Sequence, residues 1–164
     1  MQKKIAALTA LLLLAADQIS KFFVREYLAA VDTLPLIPDA LHLTYVENRG
    51  AAFGILQDKQ WVFIVLTIVI TVFAVYLLAA KKISGRLETW ALFLIVSGGI
   101  GNLIDRIFFG FVTDFIDFRL IRFYVFNIAD CCVVIGVCLF LLAVLLDTLS
   151  QKKHAKERAE DGTD

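Results

Sequence analysis

The fold is decided by residues 61–80, WVFIVLTIVITVFAVYLLAA, a run of twenty residues without a charged side chain. As an α-helix this stretch rises about 1.5 Å per residue and covers about 30 Å, the thickness of the hydrocarbon core of a bilayer. The composition agrees, because 60% of the 164 residues are hydrophobic, against about 45–50% in soluble domains. The sequence therefore predicts a transmembrane helix over 61–80 in a membrane protein.

Three further apolar segments predict helices that cross the membrane, over about residues 5–24, 88–106 and 125–147. The uncharged parts of the last two cover only 89–104 and 131–146, so each reaches full length by including polar residues at one end. These polar ends are therefore candidates for a functional site. The predicted fold class is an all-α polytopic membrane protein with four transmembrane helices, and we expect residues 1–164 to form a single membrane-embedded domain.

The first segment has a second interpretation. Lys3 and Lys4 precede a leucine-rich run that ends at Ala15 and Ala16, which is the arrangement of a cleavable secretory signal peptide. Because three further spans follow, the same segment serves equally well as an uncleaved first helix. We take the uncleaved helix as the working prediction.

The basic residues indicate how the helices are oriented. Nine of the 16 lysines and arginines fall on the side that holds both termini: Lys3, Lys4, Lys81, Lys82, Arg86, Lys152, Lys153, Lys156 and Arg158. Lysine and arginine are enriched in cytoplasmic loops. We therefore expect cytoplasmic termini, with a cytoplasmic tail over 151–164, and segments 25–60 and 107–124 that face outward.

Acidic residues are distributed the other way, with ten of the 16 on the outward side. The formal net charge of zero is therefore the sum of a positive inner side and a negative outer side. A chain without an overall positive charge has no general attraction to a polyanion. We expect no nucleic-acid partner.

The two outward segments differ in composition. In 25–60, Pro35 and Pro38 exclude a continuous helix, and residues 41–46 alternate apolar with mixed side chains before a turn. This pattern predicts a small β-rich segment outside the membrane. Segment 107–124 is rich in aromatic residues with interspersed arginines, a composition typical of the headgroup region. There we expect an interfacial aromatic loop or helix.

The sequence offers no set of metal ligands. His42 and His154 are isolated, and all three cysteines lie in the fourth span, where we expect them to pack as small apolar side chains. No metal ion or organic cofactor is predicted.

Ionisable residues at the outer ends of the spans need an explanation, because a charge at this depth is costly unless it is paired or hydrated. Asp17 and Lys21 are four residues apart with the acid first, which favours an ion pair along a helix. Asn102 and Arg106 continue one face of the third span at the same spacing. Asp105 is adjacent to Arg106, but neighbouring residues on a helix do not face each other.

Asp114 and Asp130 are harder to explain as structural residues. Asp130 lies just inside the fourth span, three residues after Asn127, and Asp114 lies on the outward loop that leads back to the same helix. Two carboxyl groups at close range share a proton, so that one acts as a general base toward water and the other as an acid, as in an aspartic protease. A structural role, in which each aspartate caps a helix or pairs with an arginine, fits the spacing equally well. Asp117 is a competing partner for the pair.

Five motifs extend this interpretation: DQISK at 17–21, NRGAAFG at 48–54, GGIGNLIDR at 98–106, VTDF at 112–115 and FNIAD at 126–130. In this order they resemble the motifs of lipoprotein signal peptidase, the type II signal peptidase family of bacteria. The resemblance covers the chain except for the tail after Ser150. It implies a four-helix aspartic endopeptidase that cleaves the signal peptide of a prolipoprotein on the amino side of its diacylglyceryl-modified cysteine.

The resemblance also implies roles for individual residues. Asp114 and Asp130 match the catalytic pair of the family. The matches to its substrate-binding and supporting residues are Asn48, Gly50, Gly54, Asn102, Asp105, Arg106, Asn127, Asp17 and Lys21. The implied partners are diacylglyceryl-prolipoprotein substrates and membrane lipids, the implied location is the bacterial cytoplasmic membrane with the active site at its extracytoplasmic face, and we expect a monomer.

Two other classes of protein stay open on the residues alone. A small polytopic transporter or proton-conducting protein also carries ionisable residues within its spans, but along a whole path, whereas the second span and the inner halves of the third and fourth are apolar. A membrane scaffold would explain glycine-containing helix faces without requiring two aspartates at one edge.

Overall fold

The structure, a computed structural model, describes residues 2–50, 59–80, 83, 85–121 and 123–161, and beyond residue 153 it describes the backbone alone. Within this part of the chain there are four α-helices: α1 (Gln2–Phe23), α2 (Gln60–Ala79), α3 (Arg86–Phe108) and α4 (Ile128–Asp161). A π-helical turn, Val24–Leu28, continues α1. All four helices are long and apolar enough to cross a membrane.

Helix α3 lies at the centre and packs against the other three. Two of its glycines make this possible. A Cβ at Gly98 would collide with the carbonyl oxygen of Ala129 on α4, and one at Gly101 would come within 2.7 Å of the Asp17 carboxylate on α1. Helix α2 is the most apolar of the four and buries only Ala74, so most of its surface suits lipid. Close helix contacts at small residues of this kind are typical of membrane bundles.

A three-stranded antiparallel sheet lies at one end of the helices. Its strands are β1 (Thr33–Ile37), β2 (Leu41–Asn48) and β3 (Val112–Phe118), in the order β1-β2-β3. The sheet packs on the end of α1 through a cluster of Val24, Leu28 and Phe115, with Leu43, Tyr45, Ile116 and Ile128 against it. The predicted fold class, four apolar helices with a small β-rich segment, is confirmed.

Strand β3 comes from the segment 107–124, which the sequence analysis interpreted as an interfacial loop or helix. Its sequence, VTDFIDF, consists of β-branched, aromatic and acidic residues, and aromatic residues suit a strand as well as a membrane interface. The backbone polar groups of this segment pair with β2 from Val112 to Phe118, and a short 3₁₀ turn, Arg119–Ile121, follows. Asp114 therefore stands on a strand rather than on a loop.

Candidate active site

Asp114 and Asp130 lie in one buried pocket where β3 meets the start of α4, and a single residue, Asn127, donates hydrogen bonds to both carboxyl groups. The amide nitrogen of Asn127 donates to Asp114 Oδ1 at 2.6 Å, while the backbone N–H of Asn127 donates to Asp130 Oδ2 at 3.2 Å. Asp114 and Asn127 are 1% and 0% exposed. The structure thus brings together the two aspartates that the sequence singled out.

Asn127 also begins the helix that carries Asp130. Its side-chain oxygen accepts the backbone N–H of Asp130 at 2.8 Å, and Asp130 returns the contact to the backbone N–H of Asn127. This reciprocal arrangement is a capping box, which satisfies N–H groups that a helix N-terminus otherwise leaves unpaired. The Asp130 carboxylate is therefore held at the positive end of the helix dipole of α4.

Two further asparagines donate to the aspartates. Asn48, the last residue of β2, donates to Asp114 Oδ2 at 2.8 Å. Asn102, on α3, donates to Asp130 Oδ1 at 2.7 Å. Each carboxyl oxygen of the pair consequently has an N–H donor: β2 and α3 supply one each, and Asn127 at the start of α4 supplies two.

Lys21 lies behind these amides and is fully buried. Its ammonium group contacts the carboxylates of Asp17 at 2.9 Å and Asp105 at 3.3 Å and donates to the side-chain oxygen of Asn102 at 2.9 Å. Asp17 in turn accepts the backbone N–H of Ala129 at 2.8 Å. The predicted i, i+4 pair on α1 is therefore formed, and it also fastens α1 to α3 and to the first turn of α4.

Asp105 faces away from its neighbour Arg106, as helix geometry requires. The Arg106 guanidinium contacts the carbonyl oxygen of Asn102 at 3.5 Å and lies over the ring of Phe63, 5.2 Å from its centre. Its Nε is buried without a hydrogen-bond partner among the described residues. Arg106 forms part of the wall of the cavity, beside both aspartates.

That cavity has a volume of about 870 Å³. Its polar end holds Asp114, Asp130 and Arg106, and it continues between α2, α3 and α4 past an apolar wall that includes Val133 and Ile135. The cavity is therefore both large enough for a peptide segment and open to an apolar group at its inner end.

Asp114 is held in an environment that favours its protonated form. Burial, and after it the repulsion from Asp130, raises the pKa of Asp114 from 3.8 to about 7, although the hydrogen bonds from Asn48 and Asn127 act in the opposite direction. A carboxyl group with a pKa near neutrality can hold or release a proton under physiological conditions. Asp114 is therefore suited to acid–base chemistry.

Asp117 lies outside this pocket. Its carboxylate accepts hydrogen bonds from Arg119 Nε at 2.9 Å and from the hydroxyl of Thr44 at 2.8 Å. Burial would raise the pKa of Asp117, but these two hydrogen bonds outweigh it and lower the pKa. Asp117 therefore pairs with an arginine, which is one of the structural roles that the sequence analysis considered for the aspartates.

Two residues that sequence reasoning did not select also contact this network. Arg25 Nη1 donates to the hydroxyl of Thr113 at 2.9 Å and lies 3.5 Å from Asp105 Oδ1. The backbone N–H of Thr113 donates to Asp105 Oδ2 at 2.9 Å. The spacing of Asp17, Lys21 and Arg25, along α1 and the π-helical turn that continues it, was the available signal, since residues four apart lie close to the same helix face.

The glycines of the NRGAAFG motif are only partly described. Gly50 lines the cavity, and its N–H donates to the side-chain oxygen of Asn48 at 3.0 Å. Gly54, the other predicted substrate-binding glycine, lies outside the described residues.

No group of three histidine, cysteine, aspartate or glutamate side chains that could hold a metal ion occurs in the described ranges. His42 is buried in β2, and Cys131, Cys132 and Cys138 have free thiols in α4. In the pocket, the carboxyl groups of Asp114 and Asp130 accept hydrogen bonds from asparagines.

Comparison with known proteins agrees with this geometry. Residues 9–146 match the family model described as signal peptidase (SPase) II. The chain belongs to the signal peptidase II family. The match includes all five motifs in full and all but the ends of the helical region, so the resemblance seen in the sequence is confirmed.

Curated relatives support the assignment over most of the chain. The lipoprotein signal peptidase of Clostridioides difficile (strain 630) is 51% identical over 137 residues, which are 82% of this chain and 90% of that protein. The lipoprotein signal peptidase of Streptococcus pyogenes serotype M1 is 42% identical over 144 residues, 88% of this chain and 95% of that protein.

A solved structure has the same fold. The bacterial membrane enzyme determined by the in meso method at 2.3 Å resolution superposes with a TM-score of 0.80 at 35% identity, over 88% of this chain and 90% of that one. Members of the signal peptidase II family are proteases, so the chain is a protease of the membrane that acts on signal peptides. None of these similarities supports the transporter or proton-conducting alternative.

Proposed function

We propose that this signal peptidase II family member is an aspartic endopeptidase that cleaves diacylglyceryl-modified prolipoproteins on the amino side of the lipidated cysteine. One observation carries the aspartic class: Asp114 and Asp130 share a buried pocket in which Asn127 donates to both. The prolipoprotein substrate follows from the names of the relatives, which are lipoprotein signal peptidases.

The two aspartates have different roles in this mechanism. We assign Asp130 as the ionised base because its carboxylate caps the N-terminus of α4, where the helix dipole favours a negative charge. Asp114, whose pKa is raised to about 7 by burial and by Asp130, keeps the proton and is the acid. The environments of the pair thus divide the acid and base roles between them.

Cleavage then proceeds through a tetrahedral diol. Asp130 removes a proton from water, the water oxygen bonds to the scissile carbonyl carbon, and Asp114 gives its proton to the carbonyl oxygen. In the second step the C–N bond breaks, Asp130 passes its proton to the leaving amine, and Asp114 recovers a proton from the diol. Arg106, which lines the cavity beside both aspartates, is the candidate donor to a substrate carbonyl during these steps.

The membrane location of the reaction is also part of the proposal. The excess of basic residues on the side of the termini supports cytoplasmic termini, which puts the sheet and the aspartates at the extracytoplasmic face. The acyl chains of the substrate stay in the bilayer next to α2 and α4, and the apolar inner end of the cavity receives the apolar part of the substrate. We propose that a monomer embedded in bilayer lipid is the working form.

The test uses the purified full-length protein in lipid nanodiscs and one prolipoprotein with and without the diacylglyceryl group. We expect cleavage of the lipidated form alone, with the new amino terminus at the modified cysteine by mass spectrometry. Cleavage of both forms at equal rates would refute the lipid requirement, and cleavage at another bond would refute the substrate assignment.

A further inference from the structure

We infer that Arg25 is a positioning residue, which holds Thr113 from the side of α1 and thereby fixes the strand that presents Asp114. This inference rests on the proposed function, because it concerns the residue assigned there as the acid. Arg25 lies outside all five motifs of the sequence analysis. Its role comes from the contacts of its guanidinium group.

Arg25 is held firmly by three neighbours. Its side chain is 19% exposed, contacts Asp105 and the hydroxyl of Thr113, and lies over the ring of Phe109 at 4.2 Å from its centre. A planar guanidinium group that stacks on one face and donates at its edge has a single orientation. Lysine at this position would keep the charge without that fixed geometry.

Thr113 is the residue on which these contacts converge. Arg25 donates to its side chain, Asp105 accepts its backbone N–H, and its own accessible surface is zero. Arg25 and Asp105 also contact each other, so together they fix both the side chain and the backbone of Thr113 through hydrogen bonds. Asp114 follows directly, so a shift of Thr113 moves the Asp114 carboxyl relative to Asn127 and Asp130.

Arg25 also balances the charges behind the site. Lys21 and Arg25 face the carboxylates of Asp17 and Asp105, and loss of Arg25 would leave the group with one excess negative charge. Asp114 is faced by Asp130 from α4, by Arg106 from α3 and by Lys21 from α1. Arg25 itself is faced by Asp105 and, from β2, by the Tyr45 phenol. Removing the arginine charge should therefore make Asp114 harder to ionise.

The experiment compares Arg25→Gln, Arg25→Lys and Thr113→Val in the full chain, with Arg119→Gln as the matched control. Arg119 is an arginine that also pairs with an aspartate at the sheet, namely Asp117. We expect Arg25→Gln to lower kcat roughly tenfold with KM changed less than about twofold, as for a misplaced catalytic group. In the profile of kcat against pH, the apparent pKa on the alkaline side should rise by about 0.5 unit.

The other variants separate charge from geometry. Arg25→Lys should keep the wild-type pKa on the alkaline side of the kcat profile, because the positive charge stays. It should lower kcat about threefold, because the fixed hydrogen-bond geometry at Thr113 is lost. Thr113→Val should lower kcat to a similar extent. The double variant Arg25→Gln/Thr113→Val should be no slower than Arg25→Gln alone, because residues that act through one contact are not additive.

The inference fails if Arg25→Gln and Arg119→Gln have the same kcat and the same pKa on the alkaline side of the kcat profile. It also fails if the effects of the Arg25 and Thr113 variants on kcat are additive. If Arg25→Gln does not fold, Arg25→Lys and Thr113→Val decide the question in the same way. Failure of the proposed function looks different, since then the wild type itself would not cleave the lipidated substrate. In that case the pH dependence of Tm in wild type and Arg25→Gln still tests whether Arg25 affects the ionisation of Asp114. The fall in Tm is expected at higher pH in the variant.

Discussion

Asp114 and Asp117 stand on the same strand, three residues apart, and have opposite environments. Asp114 points into the pocket that holds Asp130, and burial together with that second carboxyl raises its pKa to about 7. Asp117 points to the other face of the sheet, where Arg119 and Thr44 donate to it and, despite burial, lower its pKa. The residue type is the same, so the difference comes from the face of the strand and the partners found there.

This comparison shows why the local structure of a motif matters for assigning chemistry. On a helix, residues three apart share a face. On a strand, where successive side chains alternate, the same spacing puts them on opposite faces. Because β3 is a strand, only one of its two aspartates can reach the start of α4.

The largest effect should come from removing either member of the pair. We expect Asp114→Asn and Asp130→Asn each to lower kcat by about 10²–10⁴-fold, the usual contribution of a positioned acid or base, in the cleavage assay on lipidated substrate. Asp117→Asn should change kcat by less than about threefold. Full activity of Asp114→Asn together with loss in Asp117→Asn would reverse the assignment.

Asn127 should give the next largest effect, because its side chain contacts Asp114 and caps α4. We expect Asn127→Ala to lower kcat by about 10–100-fold and to reduce the free energy of unfolding by about 1 kcal/mol through the lost cap. With one donor gone, the pKa of Asp114 should rise and the alkaline limb should move to higher pH. A variant with lowered Tm and an unchanged pH profile would show that Asn127 serves the helix alone.

The pH dependence of stability sharpens the comparison without any substrate. The folded-state pKa of Asp114 lies above its ordinary value, at about 7 against 3.8, so the folded state holds a proton that the unfolded state has lost. The stability contributed by this group is therefore complete below pH 4 and is lost as the pH rises to about 7, by at most about 1.4 kcal/mol per unit. Thermal unfolding of wild type should show this fall between those limits, and Asp114→Asn should flatten it; an unchanged slope in the variant would contradict the raised pKa.

Asp117 should give the smallest effect, with the opposite sign. Its pKa is lowered in the folded state, so the stability it contributes is present above its unfolded pKa and is lost as the pH falls through the folded value. Because Arg119 is 43% exposed, solvent screens the pair and Asp117→Asn should cost at most about 1 kcal/mol at pH 7. Unfolding at pH 7 and at pH 3 measures this, and an equal loss at both would show that charge is not the cause.

Much of the architecture could be predicted from the sequence because the membrane imposes strong constraints. A stretch such as residues 61–80 has few alternatives in water or lipid, and ionisable residues at the ends of spans need partners. The Asp17–Lys21 pair could therefore be predicted from its spacing, whereas the contact of Lys21 with Asn102 on another helix could not. Their catalytic and supporting roles remain predictions, which the variants above test.

Other features depend on contacts between distant parts of the chain. Strand β3 forms because β2 offers it a partner, and nothing in VTDFIDF distinguishes that strand from an aromatic interfacial loop. Arg25 was missed for a similar reason, since an arginine at the end of a span usually faces headgroups, and its actual partner Thr113 lies 88 residues away.

The first turn of α4 has a consequence for the backbone itself. The N–H groups of Asn127, Ala129 and Asp130 are bound by side chains of the site, namely Asp130, Asp17 and Asn127. Fraying of the helix at this end therefore requires these three side-chain contacts of the site to break. Slow hydrogen exchange at these three amides is thus a direct reporter of an assembled site, readable in the resting protein before any peptide is added.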